Sequence, residues 1–290
     1  MRKFSLGLFL VFCASTTHAA TLPLSQTFIG KDKFQRVMQR GVAENWTALP
    51  IGERTTKVGL ALVGTPYRNY TLELNDRLES PCVNFAGMDC WTFFETSLAC
   101  ARLLKAKAPP YTPEDLLAMI ELDRYRGGHC NGRYTSRLHH LEDWSHDNAS
   151  RRLVQDITHP LGGVPLHRRI TDMASTWRSY RQLRADPSQI DFIRSVEGNL
   201  SRRGIYYIPK SKVAGIESRL QNGDIICIVS SASGDYTSHV GMVYRDSGGV
   251  VRFLHASKNH RQVLVDVRLS AYLNKFRSHQ GIMVVRPNEA

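Results

Sequence analysis

The chain has 290 residues, a length typical of one or two domains. Its composition, 42% hydrophobic and 22% charged, excludes a disordered chain, a collagen-like repeat and a disulfide-dense miniprotein. The 38 Lys and Arg against 26 Asp and Glu give a net charge of +12, which at first favours an anionic partner such as nucleic acid, a membrane surface or another polyanion.

The N-terminus has the pattern of a secretory signal peptide. Arg2 and Lys3 precede an apolar run over residues 4–14, and small residues around Ala19 offer a cleavage site. The apolar run is shorter than the roughly 20 residues needed to span a bilayer. We therefore expect residues 1–19 to be removed and the protein to be periplasmic or secreted, with no stable membrane insertion. Loss of the two leader cations lowers the net charge to +10.

Helical signals dominate the chain up to about residue 203. The predicted helices cover residues 31–49, 51–63, 90–105, a segment opened by Thr112 and Pro113, and residues 141–148, 174–184 and 188–201. Between them, residues 64–88 are rich in Pro, Asn and Gly and are predicted to form an irregular loop. Residues 123–140 are polar and are predicted to form a long surface loop.

The pattern changes after Gly204 to short β-branched or alternating runs separated by turn signals. The predicted strands are 205–208, 224–229, 238–245, 250–256, 262–266 and 281–285. Helices followed by strands predict an α+β fold with a mostly antiparallel sheet. No linker divides the chain, so we predict a single domain over residues 20–290, with a helical part at about 31–203 and a sheet-rich part at about 204–287.

Cys90 lies where a helix is predicted to begin, with Asp89 as a plausible N-cap. A helix N-terminus carries partial positive charge and free N–H groups, so it favours a thiolate there. The same N–H groups could hold a developing oxyanion. The pattern is typical of a cysteine nucleophile, although a buried structural cysteine would also fit it.

The other cysteines of the mature chain do not form a disulfide framework, since with Cys90 they number five, and an odd count hints at a free thiol. Cys100 and Cys227 lie in apolar runs and are predicted to be buried. Cys82 and Cys130 lie in loop-like sequence and could pair.

Two histidines fall on adjacent predicted strands. Treating Asp246-Ser247-Gly248 as a three-residue hairpin loop places His239 directly opposite His255, with both imidazoles on one face of the sheet. Together with Cys90 they would form a nucleophile, a base and an orienting residue. The chain order, cysteine and then histidine and then a polar residue, is that of papain-like proteases.

Several longer motifs support this resemblance. In chain order they are Gly64-Thr65-Pro66-Tyr67, Asp89-Cys90, Tyr134-Thr135-Ser136-Arg137-Leu138-His139, Asp143-Trp144, Gly223-Asp224, Ser238-His239-Val240-Gly241, Leu254-His255-Ala256-Ser257 and Gly281-Ile282-Met283-Val284-Val285. From about residue 50 to 287 the chain resembles the N-acetylmuramoyl-L-alanine amidase-like family within the NlpC-type papain-like cell-wall hydrolases. The resemblance implies a papain-like core in which the helix bearing the nucleophile packs on the sheet, with helical insertions.

The same resemblance implies Cys90 as nucleophile, His239 as base and His255 as third triad member. It also implies that the hydroxyl of Tyr67 lies beside the nucleophile and helps to hold the oxyanion. Two positions depart from the family pattern. Trp91 replaces a small residue after the nucleophile, and His140 replaces an aromatic residue.

A second group of residues is expected near the substrate. Arg137 could grip a stem-peptide carboxylate or form a structural ion pair with Asp143. His139 and Ser238 are assigned to the substrate or oxyanion side with it. The histidines around residue 139 match no standard zinc spacing, so no metal or other cofactor is expected.

These residues predict a cysteine amidase that cuts peptidoglycan or muropeptides at the N-acetylmuramoyl-L-alanine bond through a thioester. Alternatives are a γ-D-glutamyl–diamino-acid endopeptidase of the same fold and a catalytically inactive peptidoglycan-binding protein. Basic residues are scattered rather than clustered with aromatics, which argues against nucleic acid as partner. The protein is expected to act as a monomer.

Overall fold

The structure is a computed structural model that describes residues 21–231 and 236–289. The predicted signal peptide and its cleavage site lie outside the described residues. Within the described ranges, no helix is long and apolar enough to cross a membrane.

Helices predominate in the first two thirds of the described chain and strands in the last third. The helices are α1 (Leu24–Thr27), α2 (Lys31–Ala43), α3 (Ile51–Ala61), α4 (Cys90–Ala106), α5 (Pro113–Arg124), α6 (Leu141–Ser150), α7 (Asp172–Ser175), α8 (Arg181–Ala185), α9 (Ile190–Arg202), α10 (Lys210–Ile216) and α11 (Leu269–Asn274). The strands are β1 (Phe28–Ile29), β2 (Val83–Asn84), β3 (Val154–Asp156), β4 (Val164–Pro165), β5 (Tyr206–Pro209), β6 (Ile225–Ser230), β7 (Thr237–Arg245), β8 (Val251–Ser257), β9 (Gln262–Arg268) and β10 (His279–Pro287).

The large sheet has the strand order β4-β5-β10-β6-β7-β8-β9, and β3 pairs with β10 outside this path. Neighbouring strands in this sheet are antiparallel. Strands β1 and β2 form a separate parallel pair. The predicted α+β class with a mostly antiparallel sheet is therefore confirmed, and each of the six predicted strands is present within a few residues of its expected position.

Strand β6 lies between two layers of buried apolar side chains, one on each face of the large sheet. All its residues are buried, which explains the unbroken run Ile-Ile-Cys-Ile-Val. Side chains alternate along a strand, so Cys227 and Val229 face the layer that contains α4, and Ile226 and Ile228 face the layer formed with α10 and α11. Each buried aliphatic side chain contributes about 1.5–3 kcal/mol.

Helix α4 lies against the sheet. It contacts β7 and β8 on one side and α3 and α5 on others, and residues 92–104 are all buried. The helix is therefore buried on all sides, and its charged residues Glu95 and Arg102 are paired with Arg124 and Asp123. Its N-terminus, which bears Cys90, is held close to the beginning of β7.

Two predicted helices are interrupted. The helix expected over residues 31–49 stops at Ala43, because Asn45 adopts a left-handed conformation (φ 52°) before a short 3₁₀ turn. The helix expected over residues 174–184 breaks after Ser175. There the Thr176 hydroxyl donates to the carbonyl of Asp172 at 2.7 Å, a local bond that competes with helix continuation.

Candidate active site

The N-terminus of α4 is fixed by a reciprocal cap. Oδ1 of Asp89 accepts from the backbone N–H of Thr92 at 2.8 Å, and Oγ1 of Thr92 accepts from the N–H of Asp89 at 3.0 Å. This is the capping box, and it confirms Asp89 as the N-cap. Cys90 is consequently the first helical residue, where the helix dipole is most positive.

Cys90 lines a small cavity of about 160 Å³ at the beginning of β7. The residues that line it are Cys90, Trp91, His139, His140, Leu141, Glu142, Thr237, Ser238, His239 and Val240. The structure therefore places His239, Ser238 and His139 around the same cavity as the cysteine. Trp91, the residue that departs from the family pattern, forms part of the wall.

The thiol of Cys90 is protonated in this environment. Burial raises its pKa to about 12, and the carboxylate of Asp89 adds to the rise. The backbone N–H groups of Val240 and Trp91 oppose it by donating toward the sulfur. The helix N-terminus alone does not make a thiolate here, so forming one requires a base that takes the proton.

His239 and His255 form a direct pair. Nε2 of His239 lies 2.7 Å from Nδ1 of His255, and the rings are nearly perpendicular at 84°. Phe253 and Tyr272 pack around both imidazoles, with ring centroids between 4.5 and 6.4 Å away. Packing against Phe253 and Tyr272 restricts both rings. Because Nε2 of His239 contacts His255, Nδ1 is the nitrogen of His239 that His255 does not engage.

The backbone register that supports the pair differs from the predicted one. The observed pairs run from Met242–Leu254 to Arg245–Val251, two residues out of step with His239 opposite His255. The reason lies in the turn: Asp246 pairs with Val250 and its Oδ1 accepts from the N–H groups of Gly248 and Val250 at 3.0 and 2.9 Å. The three-residue loop is therefore 247–249, and Gly249 takes the left-handed position (φ 76°).

The shift is an even number of residues, so the two imidazoles still share a face, as predicted. The register carries Gly241 to the position across from His255. A Cβ on Gly241 would lie 2.7 Å from the Cβ of His255. Glycine at this position therefore leaves room for the side chains of His255 and Phe253.

Asp266 is a member of the cluster that the sequence analysis missed. Its Oδ2 lies 3.4 Å from Nε2 of His255, and its Oδ1 accepts from Lys275 Nζ at 2.7 Å. Leu264 is the residue paired with His255, and Asp266 follows two positions later on the same face of β9. An acidic residue in an otherwise alternating strand was the available signal, but it pointed to His255 only once the β8–β9 register was known.

Burial lowers the pKa of both histidines. The pKa of His239 falls well below the usual 6.5, because the ring is desolvated and because His255 and His279 are nearby. The pKa of His255 is also lowered by burial, although Asp266 acts in the opposite direction. Both imidazoles are therefore neutral near pH 7, and His239 can act as a base.

Tyr67 is held beside the cysteine by its backbone. Its N–H donates to the carbonyl of Arg261 at 2.8 Å, and it forms an isolated bridge with Met88, next to Asp89. Burial raises the pKa of the phenol well above 10, and the nearby Cys90 and Asp89, which carry negative charge when ionised, act in the same direction. The hydroxyl keeps its proton and can donate a hydrogen bond.

The segment 123–140 is not the surface loop that its polarity predicted. Arg137 is buried, its Nη2 lies 2.8 Å from Glu73 Oε1, and its guanidinium lies over the ring of Tyr134 at 4.8 Å. It also lies 3.7 Å from Glu79. These partners neutralise the cation and make the burial of a polar segment possible.

The proposed Arg137–Asp143 ion pair is wrong. Asp143 instead accepts from Arg126 at 2.6 Å and from Arg203 at 3.4 Å. Arg137 does not line the Cys90 cavity, whereas His139 does. Nε2 of His139 lies 2.9 Å from the Tyr134 carbonyl oxygen.

The other cysteines within the described ranges, Cys82, Cys100, Cys130 and Cys227, are free thiols and buried. Cys82 and Cys130 do not form the disulfide that their loop-like sequence allowed. The sulfur of Cys130 instead lies 3.5 Å from the carbonyl oxygen of Glu79. Cys100 and Cys227 are buried as predicted. Over residues 21–231 and 236–289, no three His, Cys, Asp or Glu residues form a group that could hold a metal ion.

The chain is similar to several known proteins. The model of a family described as N-acetylmuramoyl-L-alanine amidase-like matches residues 57–287. A crystal structure of an N-acetylmuramoyl-L-alanine amidase from Bacteroides uniformis is 29% identical with a TM-score of 0.75, covering 82% of this chain and 99% of that one. A candidate xylanase from Bacteroides fragilis is 31% identical with a TM-score of 0.69, covering 79% and 98%.

A protein from Legionella pneumophila shares the fold at 18% identity and a TM-score of 0.64, covering 89% of this chain and 95% of that one. A search of curated proteins gave no match.

Proposed function

Because the chain belongs to the N-acetylmuramoyl-L-alanine amidase-like family, we propose that it is a cysteine amidase that hydrolyses the N-acetylmuramoyl–L-alanine bond of peptidoglycan or muropeptides. The observation that carries the proposal is the convergence of Cys90 and His239 on one cavity, with His255 hydrogen-bonded behind His239. This is the nucleophile, base and orienting residue that amide hydrolysis through a thioester requires.

In the first half-reaction, Nδ1 of His239 takes the thiol proton as the sulfur of Cys90 attacks the carbonyl carbon. The proton transfer accompanies the attack, because both groups are neutral beforehand. The tetrahedral oxyanion is stabilised by N–H groups at the start of α4 and by the hydroxyl of Tyr67. His239 then gives its proton to the amide nitrogen, the C–N bond breaks and the amine of L-alanine leaves.

In the second half-reaction, water attacks the thioester carbonyl and loses a proton to His239. Collapse of this intermediate releases the lactyl carboxylate, and the proton returns from His239 to the sulfur. The cycle consumes one water, and no step needs a metal or an organic cofactor.

The name of the xylanase relative raises glycoside hydrolysis as another chemistry. That reaction normally needs two carboxyl groups about 5–9.5 Å apart on either side of the bond. Among the described residues that line the Cys90 cavity, only Glu142 carries a carboxyl group. The thiol and the imidazoles therefore favour amide hydrolysis.

The papain-like placement rests on the same architecture. The nucleophile begins a buried helix that lies on an antiparallel sheet, and the histidines come from adjacent strands of that sheet. A peptidoglycan amidase meets its substrate in the periplasm or outside the cell. That location fits the predicted signal peptide over residues 1–19.

The test is to incubate purified muropeptides with the protein and to identify the products by mass spectrometry. Cleavage at the proposed bond gives a peptide-free sugar acid and a peptide that begins with L-alanine. Cleavage between γ-D-glutamate and the diamino acid would instead support the endopeptidase alternative. Binding without turnover would support an inactive binding protein.

A further inference from the structure

A chain of three side-chain contacts extends behind His239. From the cavity inward, the contacts are His239 Nε2 to His255 Nδ1 at 2.7 Å, His255 Nε2 to Asp266 Oδ2 at 3.4 Å, and Asp266 Oδ1 to Lys275 Nζ at 2.7 Å. This inference rests on the proposed role of His239 as base, and it concerns what makes that role possible.

An ionised carboxylate can only accept hydrogen bonds. Oδ1 of Asp266 already accepts from Lys275 and, at 2.7 Å, from the backbone N–H of Val267. Oδ2 is left to accept from His255, which must then carry its proton on Nε2. The 3.4 Å separation is long, as catalytic hydrogen bonds often are before substrate binds.

The position of the proton on His255 determines the position of the proton on His239. With its proton on Nε2, a neutral His255 presents a lone pair at Nδ1, and the 2.7 Å contact requires His239 to donate from Nε2. A neutral His239 with its proton on Nε2 has its lone pair on Nδ1. We propose that Asp266 is a positioning residue that sets the tautomers of both histidines, so that Nδ1 of His239 can accept the thiol proton of Cys90.

The charges around the pair support this role. Asp266 on β9 raises the pKa of His255, whereas His260 and Lys275 lower it. The ring of Tyr272 packs against His255. His255 and His279 on β10 both lower the pKa of His239. Among these described neighbours, Asp266 supplies the negative charge. Hydrogen bonds with His255 and Lys275 hold the pKa of the Asp266 carboxyl well below its usual range.

Asp266→Asn is the informative substitution because it preserves shape. The amide oxygen is needed where Val267 and Lys275 donate, so the NH₂ group is directed at His255. His255 must then accept at Nε2 and donate from Nδ1, which moves the proton of His239 to Nδ1. In that tautomer His239 cannot take the thiol proton.

Lys275→Met is the matched control. It removes the ion pair between β9 and α11 but leaves the carboxylate that selects the tautomer. If Asp266 only tied β9 to α11, the two variants would behave alike. If it sets the tautomers, Asp266→Asn would be impaired far more than Lys275→Met.

The first measurement needs no substrate. Two-bond ¹⁵N–¹H spectra of histidine-labelled protein show which ring nitrogen is protonated. We expect Nε2–H on both histidines in the wild type and in Lys275→Met, and Nδ1–H in Asp266→Asn. A wild type with Nδ1–H on His239, or an Asp266→Asn variant with unchanged tautomers, would overturn the proposal.

The second measurement is the reaction of Cys90 with iodoacetamide at pH 7, with the modified residue mapped by mass spectrometry. We expect Asp266→Asn to slow it by about 10²-fold, the lower part of the range for general-base catalysis, and Lys275→Met by less than about fivefold. Equal rates in the two variants would contradict the proposal. Neither measurement depends on the amide bond that is cut, so failure of the proposed function leaves the tautomer result readable.

Discussion

His239 and His255 touch through their rings although their backbones are not directly opposite each other. Nε2 of His239 is 2.7 Å from Nδ1 of His255, while the β7–β8 register carries Gly241 to the position facing His255. The diagonal offset lets the two rings meet edge to face. The pair therefore depends on a glycine as much as on the histidines.

The two histidines are expected to tolerate substitution differently. His239→Ala removes the base and should lower kcat by about 10³-fold or more. His255→Asn should retain a measurable part of the activity, because an amide oxygen can still accept from Nε2 of His239. Steady-state kinetics on one muropeptide test both variants, and equal loss in the two would contradict the separate roles.

The pH profile should extend to unusually low pH. The pKa of His239 lies well below 6.5 because the ring is buried near His255 and His279. Its neutral, basic form therefore persists as the pH falls through 6.5. We expect kcat/KM to stay level through this range and to decline only below it.

On the alkaline side, the raised pKa of Cys90, about 12, predicts no activation near pH 9. Samples returned to pH 7 control for loss of the fold. An acid limb centred at or above pH 6.5 would mean that the pKa of His239 is not lowered, and would contradict this account.

Tyr67→Phe removes one hydrogen-bond donor from the oxyanion. The expected loss is about 10²-fold in kcat with little change in KM, since the hydroxyl acts mainly on the transition state. Tyr70→Phe is the control, because that tyrosine is 81% exposed. Equal kinetics for wild type and Tyr67→Phe would remove Tyr67 from the mechanism.

Gly241→Ala should disturb the site through packing. The new Cβ would lie 2.7 Å from the Cβ of His255 and 2.6 Å from the ring of Phe253. Overpacking of this kind costs about 1–3 kcal/mol, and displacement of His255 should lower activity as well.

Gly248→Ala in the hairpin loop is the matched control, because its nearest neighbour, Asp246 Oδ1, lies 3.4 Å away. Denaturant unfolding and kinetics measure the two effects. A Gly241→Ala variant as stable and active as Gly248→Ala would show that the side chains of His255 and Phe253 do not need this space.

The sequence was sufficient to predict the start of α4 and the six strands after residue 204. Asp89 and Cys90 identified the start of α4 because capping depends on local chemistry. The strand that bears His239 and the one that bears His255 were found from short-range alternation and turn signals. Such features depend on residues a few positions apart.

One error arose within a turn, and two others involved contacts between distant segments. The β7–β8 hairpin loop lies one residue later than predicted, because the side chain of Asp246 caps the turn. Arg137 was placed at the surface because its partners Glu73 and Glu79 are about 60 residues away. Asp266 was missed because its relation to His255 depends on the β8–β9 register, which a single sequence does not give.

The most direct test compares wild type with Cys90→Ala on defined muropeptides, with products identified by mass spectrometry. Because the other described cysteines are buried, a matched Cys100→Ala variant controls for loss of a thiol. We predict that wild type and Cys100→Ala release a peptide beginning with L-alanine, and that Cys90→Ala releases none. Unchanged turnover by Cys90→Ala would contradict the account.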